Sequence, residues 1–205
     1  RLRGEKGINL PDSKLKIPAI TEKDREDLVF VLEHADIVGA SFIHSSEDVA
    51  ELQQLVARSR RNPGILLKIE TQAGFHNLPV ILMQALSQNP VGVMIARGDL
   101  AVEAGFERLA EVQEEILWIC EAAHVPVVWA TQVLENLAQT GQPSRAEITD
   151  AAMSVRAECV MLNKGPYITD AVRFLDGVLR RMSAHQDKKR PMLRALNVAR
   201  RFVEP

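Results

Sequence analysis

The chain has 205 residues, 46% of them hydrophobic, and its 25 basic and 27 acidic side chains give a formal net charge of −2. This composition is typical of a soluble globular domain, and its balanced charge provides no general attraction for nucleic acid or an anionic membrane. No apolar run approaches the roughly 18 residues that span a bilayer, and the first residues lack the apolar core of a secretory signal. We therefore expect a cytoplasmic protein that binds neither nucleic acid nor membrane.

Strand-like apolar runs alternate with helical patterns along the chain. Capping boxes at Thr21–Asp24 and Ser45–Asp48 predict two helix starts, and three- and four-residue apolar spacing predicts helices over 107–124 and 168–182. The predicted strands are 37–42, 64–69, 92–96, 126–130 and 159–162. This alternation predicts an α/β fold with a parallel sheet.

The predicted sheet is better explained as part of a (β/α)8 barrel than as an open doubly wound sheet. No glycine-rich dinucleotide turn is present, and polar residues follow the carboxyl ends of several strands, where barrel active sites lie. A complete barrel takes about 250 residues and eight strands. Five strands therefore predict a partial TIM barrel with open edges, and we expect this segment to be inactive without further strands.

The two cysteines, Cys120 and Cys159, both lie inside apolar runs. Cysteines in such runs are more often buried reduced thiols than disulfides or metal ligands. We expect both thiols to be buried and to take no part in chemistry.

Two ionisable residues lie on the strand at 64–69 and directly after it. Lys68 and Glu70 share a face with Leu66 on a strand that we expect to be buried on both sides. Burying two ionisable groups is costly unless they meet each other, a metal or a charged ligand. The segment alone leaves open whether they form a structural salt bridge or a site.

The next two strands also end in polar residues. Asp99 follows an apolar strand and would lie beside Glu70, and two carboxylates from neighbouring strand ends suit Mg²⁺. Gly98 lets the backbone approach an anion closely, although a tight turn with Asp99 capping the next helix is an open alternative. Thr131 follows the strand at 126–130, where its hydroxyl could relay a proton or cap a helix.

Seven segments resemble the pyruvate kinase family in order and spacing, and the resemblance runs from about residue 6 to 182. They include Lys-Ile-Glu at 68–70 and Ala-Arg-Gly-Asp-Leu at 96–100; the segments are 6–11, 18–24, 36–42, 65–74, 94–103, 126–135 and 143–147. The resemblance implies a cytoplasmic, homo-oligomeric glycolytic phosphotransferase that moves phosphoryl from phosphoenolpyruvate to ADP, forming pyruvate and ATP. It also implies that residues 1–190 are the C-terminal portion of the barrel. We expect residues 191–205 to form a basic amphipathic tail, because arginines and apolar residues are mixed there.

The resemblance also implies roles for individual residues. Glu70 and Asp99 would hold Mg²⁺ or Mn²⁺, with K⁺ a further candidate cofactor, and Lys68 would face the transferring phosphoryl group and the developing enolate. Thr131 would lie near the enolpyruvate methylene and help to deliver a proton. The substrate-binding positions would be the backbone of Ala96, Arg97 and Gly98, with Ser41 and Phe42 lining the same mouth.

One segment departs from the family pattern. Residues 163–168, Asn-Lys-Gly-Pro-Tyr-Ile, form a shorter loop and carry a base where the family has an acid. Two alternatives therefore stay open: a catalytically degenerate regulatory protein that binds phosphoenolpyruvate or pyruvate, and a metal-dependent lyase acting on a pyruvate-type substrate. The lyase is an alternative because both reactions pass through an enolate.

Overall fold

The five strands form one parallel sheet in which each strand pairs with its neighbours in the chain. The computed structural model describes residues 18–187. The strands are β1 Ile37–Ala40, β2 Gly64–Ile69, β3 Val91–Ala96, β4 Val127–Val133 and β5 Cys159–Leu162, ordered β1-β2-β3-β4-β5 across the sheet. They confirm the predicted α/β fold and are consistent with part of a (β/α)8 barrel.

Helices fill every connection between consecutive strands. They are α1 Glu22–His34, α2 Ser46–Val56, α3 Gln72–His76, α4 Leu78–Ala85, α5 Arg97–Ala104, α6 Leu109–Ala122, α7 Glu135–Thr140, α8 Arg145–Met153 and α9 Ile168–Asp187, with a 3₁₀ turn at Ser154–Arg156. The helix predicted over 107–124 is shorter at both ends, and the one predicted over 168–182 extends to Asp187. None of the described helices has the length and hydrophobicity to cross a bilayer.

Side-chain caps fix where several helices begin. The two predicted capping boxes are present, since Thr21 and Ser45 accept hydrogen bonds from the backbone N–H groups of Asp24 and Asp48. A third capping box, which was not predicted from the sequence, has Ser144 at the start of α8. These caps satisfy N–H groups that have no partner inside the first helical turn.

The two faces of the sheet differ in burial. Ile65, Leu67 and Ile69 are at most 1% exposed and pack in the core beneath the helices. Leu66 and Lys68, on the opposite face of β2, are only partly buried. The prediction that this strand is buried on both sides is therefore wrong, because within residues 18–187 that face stays partly open to solvent.

The two cysteines are free thiols in different environments. Cys120 lies on the buried face of α6, where burial raises the pKa of its thiol to about 12. Cys159 is exposed at the start of β5, which pairs with β4 alone among the described strands. The prediction of burial is thus confirmed for Cys120 and wrong for Cys159. The predicted tail at 191–205 lies outside the described residues.

Candidate active site

The carboxyl ends of the first four strands meet at one edge of the sheet. The register pairs Ile69 with Ile95, and Ala96 with Ala130. Residues that directly follow paired positions in a parallel sheet lie side by side at the same edge. The residues proposed for the site lie near the carboxyl ends of these strands, within two residues after a strand, or in the first turn of α5.

Lys68, Glu70, Ser41 and Phe42 form one hydrogen-bonded cluster at this edge. The ammonium of Lys68 lies 2.9 Å from Glu70 Oε1 and donates to the Ser41 hydroxyl at 2.8 Å. The backbone N–H of Phe42 donates to Glu70 Oε2 at 2.7 Å. Glu70 is 3% exposed and the Lys68 side chain is 28% exposed, so the carboxylate is enclosed while the ammonium can still reach a ligand.

The backbone of Phe42 is held in an unusual conformation. Its φ is 51°, in the left-handed region that costs a residue with a Cβ about 1–2 kcal/mol. This conformation accompanies the hydrogen bond from its N–H to the buried Glu70 carboxylate. The salt bridge between Lys68 and Glu70, one of the two alternatives left open by the sequence, is present inside a cluster that also contains the two predicted mouth residues.

Residues 97–99 begin a helix, where the sequence analysis considered a tight turn. Arg97, Gly98 and Asp99 form the first turn of α5, and Ala96 provides no side-chain cap. The Thr131 hydroxyl instead accepts a hydrogen bond from Gly98 N–H at 3.2 Å. Thr131 lies within β4 rather than capping a helix of its own, and it satisfies a donor at the start of a neighbouring helix.

The side chain of Arg97 makes contacts that the sequence analysis missed. Its Nε donates to the Ala130 carbonyl at 2.9 Å, and Nη2 and Nη1 contact the Thr131 carbonyl and the Asp150 carboxylate. The guanidinium also lies 4.7 Å from the centre of the Trp129 ring. An arginine at the end of an apolar strand was the available signal, because burying its charge requires partners of this kind.

The 163–168 loop packs against α7. Asn163 Oδ1 accepts a hydrogen bond from Gln132 N–H at 3.1 Å, next to Thr131. A Cβ at Gly165 would lie 2.0 Å from the Ala138 carbonyl oxygen, so this position accepts only glycine without a backbone shift. The loop that departs from the family pattern is thus tied to the strand that carries Thr131.

The two carboxylates predicted to hold a metal suit a magnesium-type ion by their donor chemistry. Glu70 Oε2 accepts one hydrogen bond and Oε1 forms the ion pair with Lys68, and a carboxylate oxygen has a second acceptor position. Asp99 lies in the first turn of α5 and is partly buried. The described residues contain no group of three or more His, Cys, Asp or Glu side chains placed for a metal. A pair of carboxylates is nevertheless the number that Mg²⁺ commonly takes from a protein.

Comparison with known proteins extends the resemblance across most of the chain. The family model of the pyruvate kinase barrel domain matches residues 1–172. The chain is 37% identical to pyruvate kinase 1 of Trypanosoma brucei brucei over 182 residues, which cover 85% of this chain and 36% of the relative. It is 37% identical to pyruvate kinase of Leishmania mexicana over 177 residues, 83% of this chain and 34% of the relative.

A bacterial relative gives a similar result. Pyruvate kinase of Staphylococcus aureus (strain USA300) is 34% identical over 196 residues, which cover 92% of this chain and 33% of the relative. The chain therefore spans about a third of the length of these relatives. The matched region includes every strand of the sheet and every residue proposed for the site. By sequence the chain belongs to the pyruvate kinase family, and its α/β fold is consistent with part of the barrel domain of that family.

Proposed function

We propose that this chain carries part of the active site of a phosphotransferase that converts phosphoenolpyruvate and ADP to pyruvate and ATP. The observation that carries the proposal is the cluster of Lys68, Glu70, Ser41 and Phe42 beside the Gly98–Thr131 hydrogen bond. Both groups lie at the carboxyl edge of the sheet, where barrel enzymes place their chemistry. Membership in the pyruvate kinase family supports the assignment of substrates.

Lys68 supplies positive charge where the reaction develops negative charge. Its ammonium is held by Glu70 and Ser41, so it needs little reorganisation when the phosphoryl group moves and the enolate forms. Its partial exposure leaves it accessible from the open face of the sheet. This arrangement favours electrostatic stabilisation over acid–base chemistry for Lys68.

Glu70 and Asp99 would hold the divalent ion, Mg²⁺ or Mn²⁺, and K⁺ would be a further cofactor. When bound, the divalent ion supplies charge that offsets the negative oxygens of the substrates. The protein's own contribution is to fix Glu70, which is buried and hydrogen-bonded to Phe42 N–H. These cofactor assignments are supported by the donor chemistry and by the family resemblance.

The start of α5 would bind the substrate carboxylate. Backbone N–H groups in the first turn of a helix lack partners inside the helix and attract anions. The bond from Gly98 N–H to the neutral Thr131 Oγ1 is 3.2 Å long, at the upper end of the normal range, and we expect a charged carboxylate to replace it because charge-assisted hydrogen bonds are stronger. Replacement releases the Thr131 hydroxyl toward the methylene carbon, which accepts a proton when the enolate becomes pyruvate.

An assay of the complete polypeptide tests this function. With phosphoenolpyruvate, ADP, Mg²⁺ and K⁺, we expect pyruvate to form, and we expect Lys68→Met to abolish most of this activity while the protein stays folded. Ligand binding measured by calorimetry without turnover would instead favour a regulatory protein. Cleavage of a pyruvate-type substrate without phosphoryl transfer would favour the lyase.

We also propose that the 205 residues are inactive alone and that the active enzyme is a homo-oligomer. The described sheet leaves one edge each of β1 and β5 without a partner strand, which supports the view that the 205 residues are inactive alone. By family resemblance we place the active protein in the cytoplasm as a homo-oligomer. A monomeric, active 205-residue protein in ultracentrifugation and assay would contradict both the inactivity and the oligomer.

A further inference from the structure

We infer that the side chain of Arg97 is a positioning residue that fixes the Thr131 hydroxyl, and that Asp150 orients the Arg97 guanidinium for this task. The inference rests on the proposed function, because it concerns the same proton delivery to the enolate. It adds to that function, in which Arg97 contributes only its backbone.

The guanidinium holds the main chain on both sides of the Thr131 Cα. Its Nε donates to the carbonyl of Ala130, and Nη2 donates to the carbonyl of Thr131 itself. These two carbonyls belong to the successive peptide groups that flank one Cα. Fixing both peptide groups fixes the direction of the Thr131 Cα–Cβ bond, and so limits Oγ1 to the staggered positions around that bond.

The guanidinium is itself held in place. Nη1 contacts Asp150 on α8, and the group stacks on the ring of Trp129. The Arg97 side chain is 9% exposed and that of Asp150 is 30% exposed, so the charge is enclosed and its counter-charge lies at the rim. A lysine could keep the charge but not the planar fork that reaches two carbonyls and a carboxylate together.

A further hydrogen bond restrains the segment around Thr131 from the side of the neighbouring strand, β5. Asn163 on the β5 side accepts from Gln132 N–H, so the peptide groups around Thr131 are held by Arg97 and by Asn163. Arg97 has no described contact with Lys68 or Glu70. Loss of its side chain should therefore disturb the proton-delivering hydroxyl more than the site of phosphoryl binding.

The test compares Arg97→Lys and Asp150→Asn in the complete polypeptide. We measure kcat and KM for phosphoenolpyruvate, and by NMR the exchange of the pyruvate methyl protons with solvent deuterium. We expect kcat and the exchange rate to fall by about 10- to 100-fold while KM changes less than about twofold, as for a misplaced catalytic group. The matched control is Arg156→Lys, a partly buried arginine paired with Glu114, which should leave both rates unchanged.

Unchanged kcat and exchange in a folded Arg97→Lys protein overturn the inference, and so does a raised KM with unchanged kcat. If Arg97→Lys does not fold, Asp150→Asn provides the same comparison. If the wild-type protein transfers no phosphoryl group, the proposed function fails, and the methyl resonance of Thr131 in threonine-labelled protein decides the inference. We expect this resonance to shift or broaden in Arg97→Lys but not in Arg156→Lys, and an unchanged resonance rejects the positioning role.

Discussion

The ion pair between Lys68 and Glu70 should stabilise the fold as well as serve the reaction. Its charges lie 2.9 Å apart, with Glu70 3% and Lys68 28% exposed. At that distance the gross attraction is about 6 kcal/mol for an effective dielectric constant of about 20, and desolvation offsets much of it. Since Lys68 keeps contact with solvent, we expect Lys68→Met to lower the free energy of unfolding by about 2 kcal/mol.

The loss of unfolding free energy in Lys68→Met should come from the Glu70 carboxylate, which stays in place without the ammonium. Lys68→Met leaves Glu70 charged and enclosed, with the Phe42 N–H as its one described donor. The double variant Lys68→Met/Glu70→Gln removes that charge, so we expect it to recover about 1 kcal/mol relative to Lys68→Met alone. Urea unfolding followed by circular dichroism measures Lys68→Met, Glu70→Gln and the double variant.

An exposed ion pair of the same length provides the control. Lys23 and Asp27 are also 2.9 Å apart, but their side chains are 77% and 59% exposed. We expect Lys23→Met to leave the free energy of unfolding unchanged within error, because solvent screens such pairs. If Lys68→Met lowers the free energy of unfolding no more than Lys23→Met does, enclosure does not strengthen the Lys68–Glu70 pair. If the double variant loses the sum of the losses in Lys68→Met and Glu70→Gln, the enclosed carboxylate is not the source of the loss.

The remaining predictions concern catalysis, packing and thiol reactivity. Thr131→Val should lower kcat by about 10²- to 10⁴-fold in the steady-state assay, whereas Thr131→Ser, which keeps the hydroxyl, should retain most activity; equal activity of the two would exclude proton delivery by this group. Gly165→Ala should cost about 3 kcal/mol or more of unfolding free energy, since its Cβ would lie 2.0 Å from a carbonyl oxygen. Gly39→Ala should cost little unfolding free energy, because a Cβ at Gly39 would meet open space. Similar urea midpoints for the two glycine variants would contradict the close contact between Gly165 and the Ala138 carbonyl. A thiol reagent at pH 8 should modify Cys159 first, because burial raises the pKa of Cys120 to about 12 and keeps it protonated. Mass spectrometry that finds Cys120 modified first would contradict this prediction.

Local patterns predicted the elements of the fold that depend on neighbouring residues. The bounds of β2 and β5 agree with the sequence analysis, and so do the capping boxes at Thr21 and Ser45. A capping box needs contacts only three residues apart, and an apolar strand needs only its own residues. Burial is less predictable because it depends on what covers each face, and Cys159 and Lys68 are more exposed than their apolar surroundings suggested.

In the candidate site, too, local contacts could be predicted from the sequence and long-range contacts could not. Lys68 and Glu70 are two residues apart on one strand face, so their ion pair follows from strand periodicity. The contacts of Arg97 with Thr131 and Asp150 span 34 and 53 residues of sequence. No local pattern encodes such distances, and the apolar strand followed by Gly98 left open a tight turn where the structure has the start of helix α5.

The order of the strands across the sheet has a consequence for synthesis of the protein. Among the five described strands, each hydrogen-bonds to strands adjacent to it in the chain, so each new unit can dock on the preceding one as it leaves the ribosome. Pairs such as Ile37 and Gly64 close smaller loops than pairing between strands far apart in the chain would, which lowers the entropy cost of forming the sheet. Growth of the sheet can therefore proceed from the amino-terminal side, one βα unit at a time.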